Sequence, residues 1–201
     1  TYAAVELVRQ ATRAGMRVAA AKLSGVAALR DTLNMADHGA VATASFLDCG
    51  LPSTVGVGDL APVAKAVIAR LNESAPDLIV LELGDGILGG YSVESIFDDA
   101  ELRRATASLV FCASDYVGAW GGVQLFERRG LGVDVVAGSV TDSRMGEEYI
   151  EQEFGVPAGN AKRDGARLFQ LVREKVFSLQ SSVFGDAGGV REEGAEAVVE
   201  A

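Results

Sequence analysis

Residues 78–86 read Leu78-Ile79-Val80-Leu81-Glu82-Leu83-Gly84-Asp85-Gly86, and this stretch decides the fold. The unbroken leucine and β-branched run at 78–81, bounded by Pro76 and Gly84, offers water no polar face. It therefore predicts a strand covered on both sides, as in a parallel sheet. Working outward, residues 108–113 and 133–137 repeat the signature downstream, while 16–22 and 40–47 read as extended upstream. Helical spacing fills the intervals. Ala3, Val5, Leu7, Val8 and Ala11 open the chain in helical register, which Gly15 ends. A second helix follows the Ser24-Gly25 turn through Ala27, Leu29, Leu33 and Met35. A third, over 59–73, presents Leu60, Val63, Ala64, Val67, Ile68 and Leu71 on one face. Residues 116–129 read as a helix despite Gly118, Gly121 and Gly122, whose missing side chains allow close packing or the approach of a ligand. Two more helices are read at 147–154 and 162–179, with a short Val156-Pro157 segment between them.

Strands separated by helices of this length imply crossover connections, and so an α/β domain on a mostly parallel sheet over residues 1–180. Residues 181–201, rich in Gly, Glu and Ala after Gly185, read as a flexible tail.

The net charge of -10 argues against a broad nucleic-acid surface, because phosphate neutralisation needs clustered Lys and Arg. The longest apolar runs fall far short of the about 20 residues that span a bilayer, and no signal peptide is visible. Cys49 and Cys112 form no CxxC pair and have no His neighbours, so neither zinc nor a disulfide scaffold is indicated. A cytoplasmic protein without membrane or nucleic-acid partners is the expectation. His38, the only histidine, sits in an Asp-His-Gly turn and reads as a solvated loop residue. A Ser-His-Asp triad carried by it is not expected.

Ligands of open parallel sheets collect beyond the carboxyl ends of the strands, so the residues following each strand are the candidates. These are Lys22 and Ser24, the stretch from Asp48 to Thr54, Glu82 to Gly86, Ser114-Asp115, and Ser139 to Ser143 with Thr141 among them. Asp48, Glu82 and Asp85 would place hard oxygen ligands at one rim, suited to a Mg²⁺ that bridges phosphates, with Lys22 opposing the phosphate charge. The competing reading makes the carboxylates turn residues and Lys22 a solvated strand end. Ser53 and Thr54 fit either donation to a substrate anion or helix capping. Tyr91 and Trp120 fit either stacking on a base or partial burial in the core. No GxxxxGK(S/T) loop and no Rossmann fingerprint occurs. A strand and phosphate loop are accordingly expected before Thr1, which would stand at or next to the metal-binding hydroxyl of that loop.

Taken in order, the opening helix with residues 15–25 (GMRVAAAKLSG), residues 47–54 (LDCGLPST), 82–86 (ELGDG), 113–115 (ASD) and 138–141 (GSVT) resemble the P-loop proteins close to dethiobiotin synthetase. More narrowly, they resemble the domain found in D-glutamate N-acetyltransferases. The DxGxPST and ExxDG elements carry most of the resemblance, which covers residues 1–179. It implies a three-layer P-loop NTPase-like fold whose first strand and phosphate loop lie outside these residues. It also implies Asp48 and Glu82 at a metal, Lys22 near phosphates, and Ser53 and Thr54 toward the acceptor. Joined to the strand-end reading, the assignment becomes Lys22, Asp48 and Glu82 as catalytic groups, with Thr1, Lys22, Ser24, Ser114, Asp115 and Thr141 on the cofactor. Ser53, Thr54, Asp85 and Gly86 take the substrate. The implied cofactor is acetyl-CoA or ATP with Mg²⁺. The implied activity is acetyl transfer to a small amino acid or, alternatively, an ATP-dependent ligase or kinase reaction. A homo-oligomer is expected on family grounds, and a non-catalytic oligomerisation module is the rival from another class.

Overall fold

β3 (Leu78–Leu83) is buried at every position and lies inside a six-stranded sheet ordered β2-β1-β3-β6-β4-β5. The other strands are β1 (Val18–Ser24), β2 (Ala42–Ser45), β4 (Thr106–Cys112), β5 (Val135–Ala137) and β6 (Glu196–Glu200). Every pairing is parallel. The computed structural model describes residues 2–184 and 196–200.

Alternation along the strands divides the core in two. Ala19, Ala21 and Leu23 of β1, with Ile79, Leu81 and Leu83 of β3, face α3 (Ala61–Asn72), α4 (Val93–Asp98) and α5 (Ala100–Ala105). Val18, Ala20, Leu78 and Val80 face α1 (Tyr2–Arg13), Met35 of α2 (Leu29–Asp37) and α8 (Gly165–Phe184). α6 (Tyr116–Arg128) joins the first face through Phe126. It also packs with Ile150 of α7 (Arg144–Phe154) over the β5 edge. The result is a three-layer α/β/α arrangement. α1 shows why such helices dock: Ala4, Leu7, Val8 and Ala11 are buried, which is the spacing of one helical face.

Three differences from the sequence reading have physical causes. The extended run at 40–47 ends early, because Ser45 and Asp48 close a capping box around a 3-10 turn at Phe46–Cys49. α4 and α5 were not anticipated, since six-residue helices are too short to show a period. The tail expected to be flexible contributes β6, whose Ala197, Val198 and Val199 are buried on both faces between β3 and β4. Three apolar residues between glutamates carry too weak a strand signal to be read. Residues 185–195 of the expected tail lie outside the described residues. Among the described residues no helix is long and apolar enough to cross a membrane.

Asp99 joins α5 to α3. Its carboxylate accepts from the Glu101 and Leu102 backbone N–H groups, each at 3.0 Å, and pairs with Lys65 at 2.9 Å. The Leu102 N–H first, and then Lys65, hold this carboxyl below the usual aspartate value. Its contribution to stability is therefore complete above the unfolded value of about 4 and is lost as pH falls through the lower folded value. Urea midpoints measured against pH should decline less steeply below about pH 4 in Asp99→Asn than in the wild type. Parallel acid limbs would refute this role.

Candidate functional site

Two adjacent strands, β1 and β3, part company at their carboxyl ends. From β1 the chain turns to α2 on the α1–α8 face, and from β3 it turns to α4 on the opposite face. Neighbouring parallel strands whose connections diverge leave a crevice between them, the usual ligand position in open α/β sheets. Lys22 and Glu82 stand there in register on β1 and β3.

A cavity of about 870 Å³ opens at this point, bounded by Lys22, by Arg30 and Asp31 of α2, by the 82–88 segment, by Phe111 and Cys112 of β4, and by α6. This volume falls within the range of small-molecule and cofactor sites.

Lys22 and Glu82 are buried, at 9% and 3% exposure, and the Lys22 ammonium pairs with Asp31, itself 5% exposed. The rim beside the pair is tightly built. A Cβ at Gly84 would lie 3.1 Å from Lys22 Cε, and one at Gly25 would lie 2.3 Å from Asp85 Oδ2. Gly25 has φ +112°, a conformation that suits glycine alone. Asp85 Oδ2 accepts from Val26 N at 3.1 Å, and Ser24 Oγ donates to the Gly84 carbonyl at 3.0 Å. Thr54 Oγ1 accepts from Gly25 N and donates to the Tyr91 carbonyl, each at 3.0 Å. Three strand-end loops are thereby laced together around the lysine.

Of the residues read from sequence, Lys22, Glu82, Asp85 and Gly86 line the cavity, and Ser24 and Thr54 brace its rim. Ser53 Oγ accepts from Val55 N at 3.2 Å, and Ser53 forms a bridge with Val26. Asp48 accepts from Ser45 N at 2.7 Å in its capping box, and it is not among the groups bounding the cavity. Asp115 caps α6 through Gly118 N at 2.8 Å, and the Ser114 carbonyl accepts from Ser139 Oγ at 3.3 Å. Thr141 is buried in a network with Gly138, Gly159 and Asn160. Thr1 lies outside the described residues. Sequence reasoning missed Arg30, Asp31, Phe111 and Arg128. The three charged residues gave a weak signal, because polar residues on helices ordinarily mark a solvated face, and Phe111, on β4, read as part of the apolar strand run.

Among the described residues no group of three or more His, Cys, Asp or Glu side chains is arranged to hold a metal by itself. A nucleotide-borne Mg²⁺ needs only one or two protein carboxylates beside phosphate oxygens and water. Asp31, Glu82 and Asp85 are the carboxylates that border the cavity.

Fold and cleft together define an open, all-parallel α/β protein with a ligand-sized cavity at a topological switch point. No protein-family model, curated protein or solved structure matches the chain.

Proposed function

We propose that the cleft binds a nucleotide-bearing cofactor, acetyl-CoA or ATP with Mg²⁺, and serves group transfer to a small amino- or carboxyl-bearing metabolite. The preferred form is acetyl transfer of the D-glutamate N-acetyltransferase kind. The observation that carries the reading is the juxtaposition of Lys22 and Glu82 at the β1–β3 crevice, within a cavity large enough for such a ligand. The resemblance in residues 15–25, 47–54 and 82–86 favours the acetyl branch.

Acetyl-CoA, when bound, supplies the activated thioester. Lys22, itself buried, would face the negative charge of the ligand and of the oxygen that gains charge during transfer. Glu82 would accept the proton that the acceptor amine loses on acylation, and solvent would supply the proton for the thiol released. For ATP the same two groups would serve differently: Glu82 would hold Mg²⁺, and Lys22 would neutralise a phosphate. Asp85 and Gly86, which line the cavity, would face the acceptor.

Calorimetric titration of the chain with acetyl-CoA and with ATP-Mg²⁺ tests the reading. Saturable binding of acetyl-CoA is expected, together with release of free thiol when D-glutamate is added. Saturation by ATP-Mg²⁺ alone would select the ligase or kinase branch. Binding of neither would overturn the proposal.

A further inference from the structure

The wall of the cavity formed by α6 carries an unusual surface. Gly118, Gly121 and Gly122 all border the space, and each weakens a helix relative to alanine. Gly122 has an internal reason, since a Cβ there would fall 2.0 Å from the Phe111 ring. The other two have none. At Gly121 nothing lies within 4 Å of an added Cβ, and at Gly118 only the Asp115 carboxylate comes near, at 3.6 Å. What their missing side chains leave open is cavity. Beside this bare backbone stands Trp120, 54% exposed and bordering the same space. Gln124 and Arg128 follow it at four-residue intervals along one helix stripe and also line the cavity.

From this combination we infer that the α6 wall is the seat of a planar heterocycle, the adenine ring that ATP and CoA share. The inference rests on the nucleotide reading of the cleft and adds to it the orientation of the ligand. A flat ring gains most from a surface without protruding side chains, where both van der Waals contact and an indole neighbour are available. With the ring on α6, the phosphates lead toward Lys22 at the β1–β3 crevice, where it stands in register with Glu82. Gln124 and Arg128 supply polar groups at the edge of the seat.

Trp120 is the only tryptophan in the chain, so its emission reports directly on the seat. Titration of the chain with ADP and with CoA should quench it, whereas inorganic pyrophosphate and pantetheine, which lack the ring, should not. Gly121→Leu fills the seat while adding a better helix former. Its melting temperature should hold or rise while affinity for the adenine ligand falls at least tenfold. Trp120→Ala should lower calorimetric affinity by about tenfold, the scale of one base–aromatic stack. Should Gly121→Leu melt lower than wild type, Gly121→Ala replaces it, with the same direction expected in affinity. If the wild type binds ADP or CoA by calorimetry with unchanged Trp120 emission, or if the Gly121 variants bind as tightly as wild type, the seat is elsewhere while the cofactor reading stands. Wild-type protein that binds neither ligand removes both. Emission that follows protein concentration rather than ligand would assign the Trp120 surface to self-association and overturn the inference.

Discussion

Asp31→Ala is expected to lower the unfolding free energy by about 3–5 kcal/mol, the usual cost of removing one partner from a buried ion pair. The environment justifies the upper part of the scale of single substitutions. The Lys22 and Asp31 side chains are 11% and 7% exposed, and the lysine stem is confined by Gly25 and Gly84, so the ammonium has little freedom to swing toward bulk water. Arg30 approaches Asp31 at 3.8 Å, but its own side chain is 90% exposed. Solvent-screened charge of that kind contributes little, so Arg30 neither replaces Lys22 nor rescues Asp31. The double variant Lys22→Met/Asp31→Leu removes both charges together and should recover most of the lost stability, because a buried pair replaced by apolar groups of similar size is often neutral. On the proposed reading of the cleft, it should nevertheless bind ADP and CoA more weakly than wild type. Urea unfolding and calorimetry on the three proteins separate the two effects. A loss below about 1 kcal/mol in Asp31→Ala would place the pair with solvated surface ion pairs and remove the argument that Lys22 is held for a ligand.

The sheet was legible where burial wrote itself into composition. β3 is covered on both faces and read as a continuous apolar run, while β1 read as a short extended segment over 16–22 and the helices between them followed from their period. β6 was not legible, since Ala197, Val198 and Val199 gain their strand character from the neighbours β3 and β4 rather than from their own sequence. The site divides along similar lines. Lys22, Glu82, Asp85 and Gly86 line the cavity because the carboxyl ends of parallel strands converge by topology. Asp48, Asp115 and Thr141 satisfy the same rule, yet their side chains are engaged with nearby backbone and polar groups. Composition does not reveal whether a polar side chain will be captured locally or left for a ligand. Asp31 and Arg128 come from helices, where a charged residue carries no sign that its face turns toward a cavity.

Gly122→Ala should destabilise the protein by about 2 kcal/mol, although the same change at an unconstrained helical position is worth about 1 kcal/mol in the opposite sense. The reason is the ring of Phe111, whose Cε1 and Cζ would lie 2.0 and 2.2 Å from the new methyl group. Phe111 cannot yield inward, because it packs edge-on against Phe126 at 5.9 Å, which in turn meets Phe97 at 4.9 Å. Its open direction is the cavity it borders, so the methyl group should push the ring into that space while it weakens the fold. Gly121→Ala, one position earlier, meets nothing within 4 Å and should stabilise by about 0.5–1 kcal/mol. Opposite signs at adjacent positions are the signature of two different reasons for glycine in one helix. Phe111→Leu should absorb part of the Gly122→Ala penalty, giving a non-additive double variant with a coupling of about 1 kcal/mol. Urea midpoints of the single and double variants decide the matter. Equal stabilisation by Gly121→Ala and Gly122→Ala would mean that Phe111 does not rest on α6, and the partition of the glycines between packing and ligand would fall with it.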